Sequence, residues 1–171
     1  IKHAVVTNNE PLVNAIMVTG GDKDLLLKES VAANNIPFAE LAMANGAVVE
    51  DVNYLLTAIQ NDRNEMAILL LDNGSPMTDP QLIKAAVGKS NQVVCERLIA
   101  GGAPVTDKTL LPTAITNNKL AIVTLLLDNG ADANSGMKAA IDANNTTVTS
   151  LLLSNGADAS NPDFIKVATA K

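Results

Sequence analysis

The chain has 171 residues, a net charge of −6 and 47% hydrophobic side chains, yet only Phe38, Tyr54 and Phe164 are aromatic. That length is one domain with an aliphatic core, and no apolar run approaches the ~18 residues of a membrane-spanning helix, so a soluble, cytoplasmic chain with no membrane partner is expected. A single histidine, His3, and a single cysteine, Cys95, exclude a disulfide and a zinc site of the usual ligand set.

The predicted elements recur along the chain. Helix-end glycines stand at Gly20, Gly46, Gly74, Gly102, Gly130 and Gly156, separated by 26, 28, 28, 28 and 26 residues. Sixteen residues before each lies a small residue: Ala4, Ser30, Ala58, Ala86, Ala114 and Ala140. The sixteen-residue block keeps its length, while the ten or twelve residues to the next block absorb the variation. The block is therefore packed and the link is loop. In chain order this gives repeats at about 1–22, 23–50, 51–78, 79–106, 107–133 and 134–160, then a half repeat at 161–171, within a single domain spanning 1–171.

Each repeat reads as a first helix, a polar turn and a second helix. Asp51, Asp79 and Asp107, and later Asn161, have side chains suited to capping the first helix, with Pro80 and Pro162 at its first position. This helix is expected to be the shorter of the two. The turn column reads Asn8, Asn34, Asp62, Ser90, Asn118 and Asn144, mostly types that tolerate positive φ. In the second helix, opened in the early repeats by Pro11 and Pro37, apolar columns recur at i, i+4 and i+5. They are Leu12, Phe38, Met66, Val94, Ile122 and Val148; Ile16, Ala42, Leu70, Leu98, Leu126 and Leu152; and Met17, Met43, Leu71, Ile99, Leu127 and Leu153. That spacing is one helical face. The string Leu-Leu-Leu-Asp-Asn-Gly at Leu69–Gly74 and Leu125–Gly130, returning as Leu-Leu-Leu-Ser-Asn-Gly at Leu151–Gly156, closes it. Its three leucines are expected in the core, with the glycine in a left-handed helix terminus.

At these residues the chain resembles the ankyrin-repeat family, most closely over Ala114–Asn134, where Leu125-Leu126-Leu127-Asp128-Asn129-Gly130-Ala131-Asp132-Ala133-Asn134 is similar to the end of the family's outer helix and the loop after it. Two departures stand out. The Thr-Pro-Leu-His signature is absent, and each repeat is five to seven residues shorter than the usual 33. The missing residues fall in the segment that forms the family's β-hairpin finger. The expected fold is thus all-α, an ankyrin-like helix-turn-helix solenoid of six repeats plus a terminal half repeat, with tight loops in place of fingers.

At the ends, Ile1 aligns with the middle of a first helix, and Lys171 lies three residues after Ala168. Pro162–Lys171, with Phe164, Ile165 and Val167 inward and Lys166 and Lys171 outward, is expected to cap one end, because a solenoid needs polar terminal units. No cap is legible at the other end, so the expectation is a longer protein continuing before Ile1, with oligomerisation through an uncapped end left open.

Chemistry finds little support. Cys95 shares a second-helix column with Val13, Ala39, Ala67, Val123 and Thr149, which makes it a core thiol. His3 precedes Ala4 on a first helix and has no nucleophile to serve. Gly20-Gly21 and Gly101-Gly102 occupy helix ends rather than phosphate loops. Asp128–Asp132 is rich in oxygen, but calcium-loop numbering from Asp128 puts Ala139 where a bidentate Glu belongs. No enzyme, cofactor or metal is expected.

A lysine column stands apart. Two residues before each small residue come Lys2, Lys28, Leu56, Lys84, Pro112, Lys138 and Lys166, so five of twelve basic residues share one position. Projection places it at the exposed border of the first helix. The ankyrin resemblance implies that this face is the concave recognition surface. It also implies contacts just after the small residue, at Gln60 and Asn61, Gly88 and Lys89, Thr116 and Asn117, and Asp142 and Ala143. The expected function is binding of a partner protein or peptide along this face through Lys28, Gln60, Asn61, Lys84, Lys89, Thr116, Asn117, Lys138, Asp142 and Lys166, with an acidic segment as the partner. The competing reading is lysine stems that simply solvate a helix edge. Alternatives are a structural solenoid assembling end to end and an effector or viral inhibitor protein. Nucleic-acid binding is less favoured, because the total charge is acidic and only Arg63 and Arg97 are arginines.

Overall fold

The computed structural model describes residues 1–162, 164 and 165, and every regular element among them is an α-helix. The chain divides into two compact units, Ile1–Met77 and Thr78–Lys171. The first holds α1 (Lys2–Val6), α2 (Glu10–Val18), α3 (Lys23–Ala33), α4 (Ile36–Ala44), α5 (Val52–Gln60) and α6 (Asn64–Asp72). The second holds α7 (Pro80–Gly88), α8 (Gln92–Ala100), α9 (Leu110–Thr116), α10 (Leu120–Asp128), α11 (Asn134–Asp142) and α12 (Thr146–Ser154). In each unit consecutive helices form antiparallel hairpins, and the hairpins stack. α1 packs on α3 and α3 on α5; α7 packs on α9, α9 on α11, α8 on α10 and α10 on α12. Among the described residues no helix is long and apolar enough to cross a membrane.

One hydrogen-bond pattern makes the hairpins. All six turn-column residues, Asn8, Asn34, Asp62, Ser90, Asn118 and Asn144, adopt φ between 50° and 57°. The next residue then donates its N–H to the carbonyl of the small residue: Asn9 to Ala4, Asn35 to Ser30, Arg63 to Ala58, Asn91 to Ala86, Lys119 to Ala114 and Asn145 to Ala140, all at 2.8–3.0 Å. With the N–H of the left-handed residue reaching the carbonyl three back, this is the Schellman arrangement. The second helices end the same way. Their glycines take φ of 84–90°, and the following residue bonds back to Ile16, Ala42, Leu70, Leu98, Leu126 or Leu152. The small residues sit at 0–1% exposure, where a larger side chain would wedge the hairpin apart.

Capping is richer than the sequence reading expected. Asp51 and Asp79 cap α5 and α7 through the N–H groups of Asn53 and Gln81. Asp107 binds the N–H of Thr109, but α9 begins only at Leu110. Pro112 is the reason, because without an N–H it cannot close the first α-type bond onto Lys108. In the two shorter links the acid lies two residues past the glycine: Asp22 caps α3 by receiving the N–H of Asp24 and Leu25, and Asp132, one residue before the N-cap Ala133 of α11, accepts that of Asn134. The second helices have their own caps, Asn9, Asn35, Asn91 and Asn145, each accepting the N–H three residues on. First helices are not uniformly the shorter ones. α3 has 11 residues against nine in α4, and α5, α7 and α11 match their partners at nine.

The apolar columns hold with three corrections. In the first column Leu12 is exposed while Phe38, Met66, Val94, Ile122 and Val148 are buried. In the triple-leucine strings only the middle residue, Leu70, Leu126 or Leu152, is always fully buried. The first of each, Leu69, Leu125 or Leu151, is half-buried, and the third is exposed at Leu153. Three consecutive residues sweep ~200° around a helix, so they cannot all face one layer. In the expected terminal cap, Phe164 is half-buried but Ile165 is exposed, and Lys166, Val167 and Lys171 lie outside the described residues.

Three consequences are measurable by chemical denaturation. Leu126→Ala should cost ~2–5 kcal/mol. Gly130→Ala should cost about 1 kcal/mol from backbone strain alone, since an added Cβ would meet nothing within 4 Å. Ser75, directly after Gly74, buries a hydroxyl with no hydrogen-bond partner, where Ala47, Ala103 and Ala157 occupy the matching position. Ser75→Ala should raise stability by roughly 1 kcal/mol; a loss would mean that the hydroxyl is satisfied.

Candidate partner-binding site

Within each unit the first helices present one side to solvent. In the first unit Lys2 and Lys28 are exposed in the lysine column and Leu56 is half-buried. In the second, Lys84 and Lys138 are exposed and Pro112 is half-buried. Lys166 lies outside the described residues. After the small residues, Gln60, Asn61, Gly88, Lys89, Thr116, Asp142 and Ala143 are exposed and Asn117 is half-buried.

Several of these side chains already serve the chain. Lys84 Nζ lies 3.5 Å from the Asp107 carboxylate of the next repeat. That carboxyl is held below the usual range first by the Thr109 backbone and hydroxyl hydrogen bonds and then by Lys84. Lys138 donates to Asp142 one turn on, at 2.5 Å. These two candidates are therefore one ion pair, legible beforehand in the i, i+4 spacing. Asn61 Nδ2 donates to the Thr57 carbonyl at 2.8 Å, capping its own helix. Asn117 Nδ2 reaches Gly88 O and Ser90 Oγ, both at 3.3 Å, tying its repeat to the one before. Arg63, in the first unit, does the same by donating Nη1 to Val31 O at 2.6 Å and Ala32 O at 3.0 Å.

Charge is unevenly divided. Residues 1–77 hold four basic and ten acidic side chains, whereas residues 78–171 hold eight of each. The whole net charge of −6 thus resides in the first unit. There Tyr54 is half-buried, and its phenol is pushed up first by burial and then by Asp51, Asp24 and Asp22. Lys28 consequently sits in a field that attracts cations, while Lys84 and Lys138 sit in a balanced one. Whole-chain composition conceals this division; it follows only from the boundary at Met77.

Hollows lie elsewhere. One of about 330 Å³, lined by Ile141, Asn144, Asn145, Thr146, Thr149 and Ser150 among others, sits at the turn between α11 and α12. Another of about 270 Å³ is lined by Asn34, Asp62, Arg63, Asn64 and Glu65 in the first unit. Among the described residues no group of three His, Cys, Asp or Glu side chains is placed to hold a metal. His3 is exposed on α1.

The sequence matches no family model and no curated protein. The fold does have solved relatives. The ankyrin repeat domain of Bcl-3, described as a unique member of the IkappaB protein family, superimposes with a TM-score of 0.70 at 23% identity, covering 93% of this chain and 86% of that one. The human ASB11 ankyrin repeat domain gives 0.69 at 20% identity, covering 94% and 85%. The chain thus has the fold of an ankyrin-repeat domain.

Cys95 is fully buried on α8, and burial, with a smaller contribution from Glu96, pushes its thiol up from 9.0 to about 12. Because the folded value is raised, the stability it carries is whole below pH 9 and falls away as pH climbs toward about 12. Native protein should therefore resist thiol alkylation at neutral pH and react only on unfolding; rapid labelling in native buffer, read by mass spectrometry, contradicts the placement.

Proposed function

We propose that this chain is a non-catalytic protein-binding module that engages a partner protein or peptide through the exposed side of its first helices. The observation that carries the reading is the row of solvated side chains at Lys84, Lys89, Thr116, Lys138 and Asp142 over buried first-helix columns, in a fold built for extended recognition. In the first unit the corresponding contacts are Lys28, Gln60 and Asn61; Asn117, and Lys166 in the terminal half repeat, complete the set. The preferred partner is an acidic segment, held chiefly by the second unit. Exposed ion pairs contribute only ~0–1 kcal/mol, so a partner's carboxylates displace Asp107 and Asp142 from Lys84 and Lys138 at little cost. Nucleic acid fits less well, because Arg63 is committed to backbone carbonyls and the first unit repels phosphate.

Pull-down with the chain as bait, followed by mass spectrometry, supplies the partner. Lys84→Glu combined with Lys138→Glu should then weaken its binding by about tenfold or more, with a loss that shrinks at high salt. Binding that survives both changes at physiological salt assigns the lysines to solvation alone.

A second reading, assembly into a larger structure, is supported by a separate observation. Val6, Leu12 and Val18 are exposed on α1 and α2, Val18 at 88%, and exposed apolar side chains of this kind favour self-association. Sedimentation velocity should show mass growing with concentration if assembly is the function, and a constant mass if partner binding is.

A further inference from the structure

Four second helices end in Asn-Gly: Asn45-Gly46, Asn73-Gly74, Asn129-Gly130 and Asn155-Gly156. In a flexible chain this dipeptide loses the asparagine amide faster than any other, because the glycine nitrogen is unhindered. A base removes the glycine N–H proton and the nitrogen attacks the asparagine Cγ. The new C–N bond closes a succinimide as the Cγ–Nδ2 bond breaks, and the leaving nitrogen takes the proton back from the protonated base and departs as ammonia. Water then opens the ring to aspartate or isoaspartate, with no oxidant or reductant involved.

The helix ends oppose each step. Each asparagine Nδ2 donates to the carbonyl four residues back, Leu41, Leu69, Leu125 or Leu151, at 2.7–2.8 Å. Each glycine N–H donates to the carbonyl three residues back, Met43, Leu71, Leu127 or Leu153, at 2.8–3.2 Å. The asparagines hold ψ between 10° and 20°. That angle nearly eclipses the glycine nitrogen with the asparagine's own nitrogen and turns it away from Cβ, whereas ring closure needs it alongside Cβ. All four asparagines and glycines are nonetheless exposed to solvent. Only local geometry, not burial, separates them from the water that would react.

We propose that these four pairs are latent deamidation sites, silent in the folded repeat and released when the second helix carrying them frays. The product cannot restore the lock. A carboxylate has no Nδ2–H to donate and adds negative charge at the negative end of the helix dipole. One event therefore weakens the repeat that suffered it, and because repeats are stabilised by their neighbours, the next fraying becomes easier. Thr19 performs the same capping without this chemistry, donating Oγ1 to Ala15 and Ile16 at 3.0 and 2.9 Å.

The test is peptide mass mapping of the whole chain after incubation at mildly alkaline pH, in native buffer and in urea, with isoaspartate scored at each site. The four sites should convert at least about tenfold more slowly in the native chain. Leu126→Ala should accelerate conversion at Asn129 and leave Asn45 at its native rate. If that variant does not fold, all its sites will run at the urea rate, and the milder Ile122→Val decides the same comparison. Asn129→Thr should abolish conversion in that repeat and keep the melting temperature, while Asn129→Asp should lower it. Equal rates in native buffer and urea, or an Asn129 rate indifferent to weakening of α10, would overturn the proposal.

Discussion

The structure depends on a carbonyl that lies five residues back. At the close of each first helix the left-handed residue turns the chain, and the next N–H returns to the carbonyl of the small residue at 2.8–3.0 Å. The same N–H belongs to the residue that caps the second helix, so one short turn ends one helix and begins another. One inserted residue would break both bonds and rotate the second helix by ~100°, taking its apolar columns off the layer. This is why the sixteen-residue block is invariant in length while the loops are not. The small residue is small because its Cβ lies where the two helices meet.

Loop length is tolerated because the loop has one task, to deliver a carboxylate or amide to the next first helix. The longer links place Asp51, Asp79 and Asp107 five residues past the glycine, and the shorter ones place Asp22 and Asp132 two residues past it. The helix start follows the acid, as α3 shows by beginning at Lys23. Pro112 shows the limit: Asp107 is in position, yet the helix waits until Leu110 because the missing N–H cannot be replaced.

A surface built this way is free to vary. Core columns and turn residues consume the conformational constraints, and what remains is the solvated side of the first helices. Its lysines are no isolated cationic row, since Lys84 and Lys138 contact the chain's own carboxylates. They are better seen as pre-positioned charges with weakly held counterions. Under the proposed function an acidic partner would be held by the second unit, because the whole net charge of −6 resides in the first.

The repeat, the helix-turn-helix order and the twelve left-handed positions were legible in the sequence, because each rests on a local rule: periodicity, an Asn or Gly where φ must be positive, a small residue at fixed spacing. The burial of Cys95 and of the small-residue column followed from the same register. The asparagine caps at Asn9, Asn35, Asn91 and Asn145 obey an equally local rule and were legible too, but the turn column beside them masked the signal. What only the tertiary structure decided is what one repeat does to the next. Leu12 lies open while Met66 in the same column is buried, Lys84 meets Asp107, and Asn117 reaches back to Gly88. Local sequence sets which way a side chain points from its helix. Whether it meets protein, a counter-charge or water depends on the neighbouring repeat, and the register of stacking is not written in any single one.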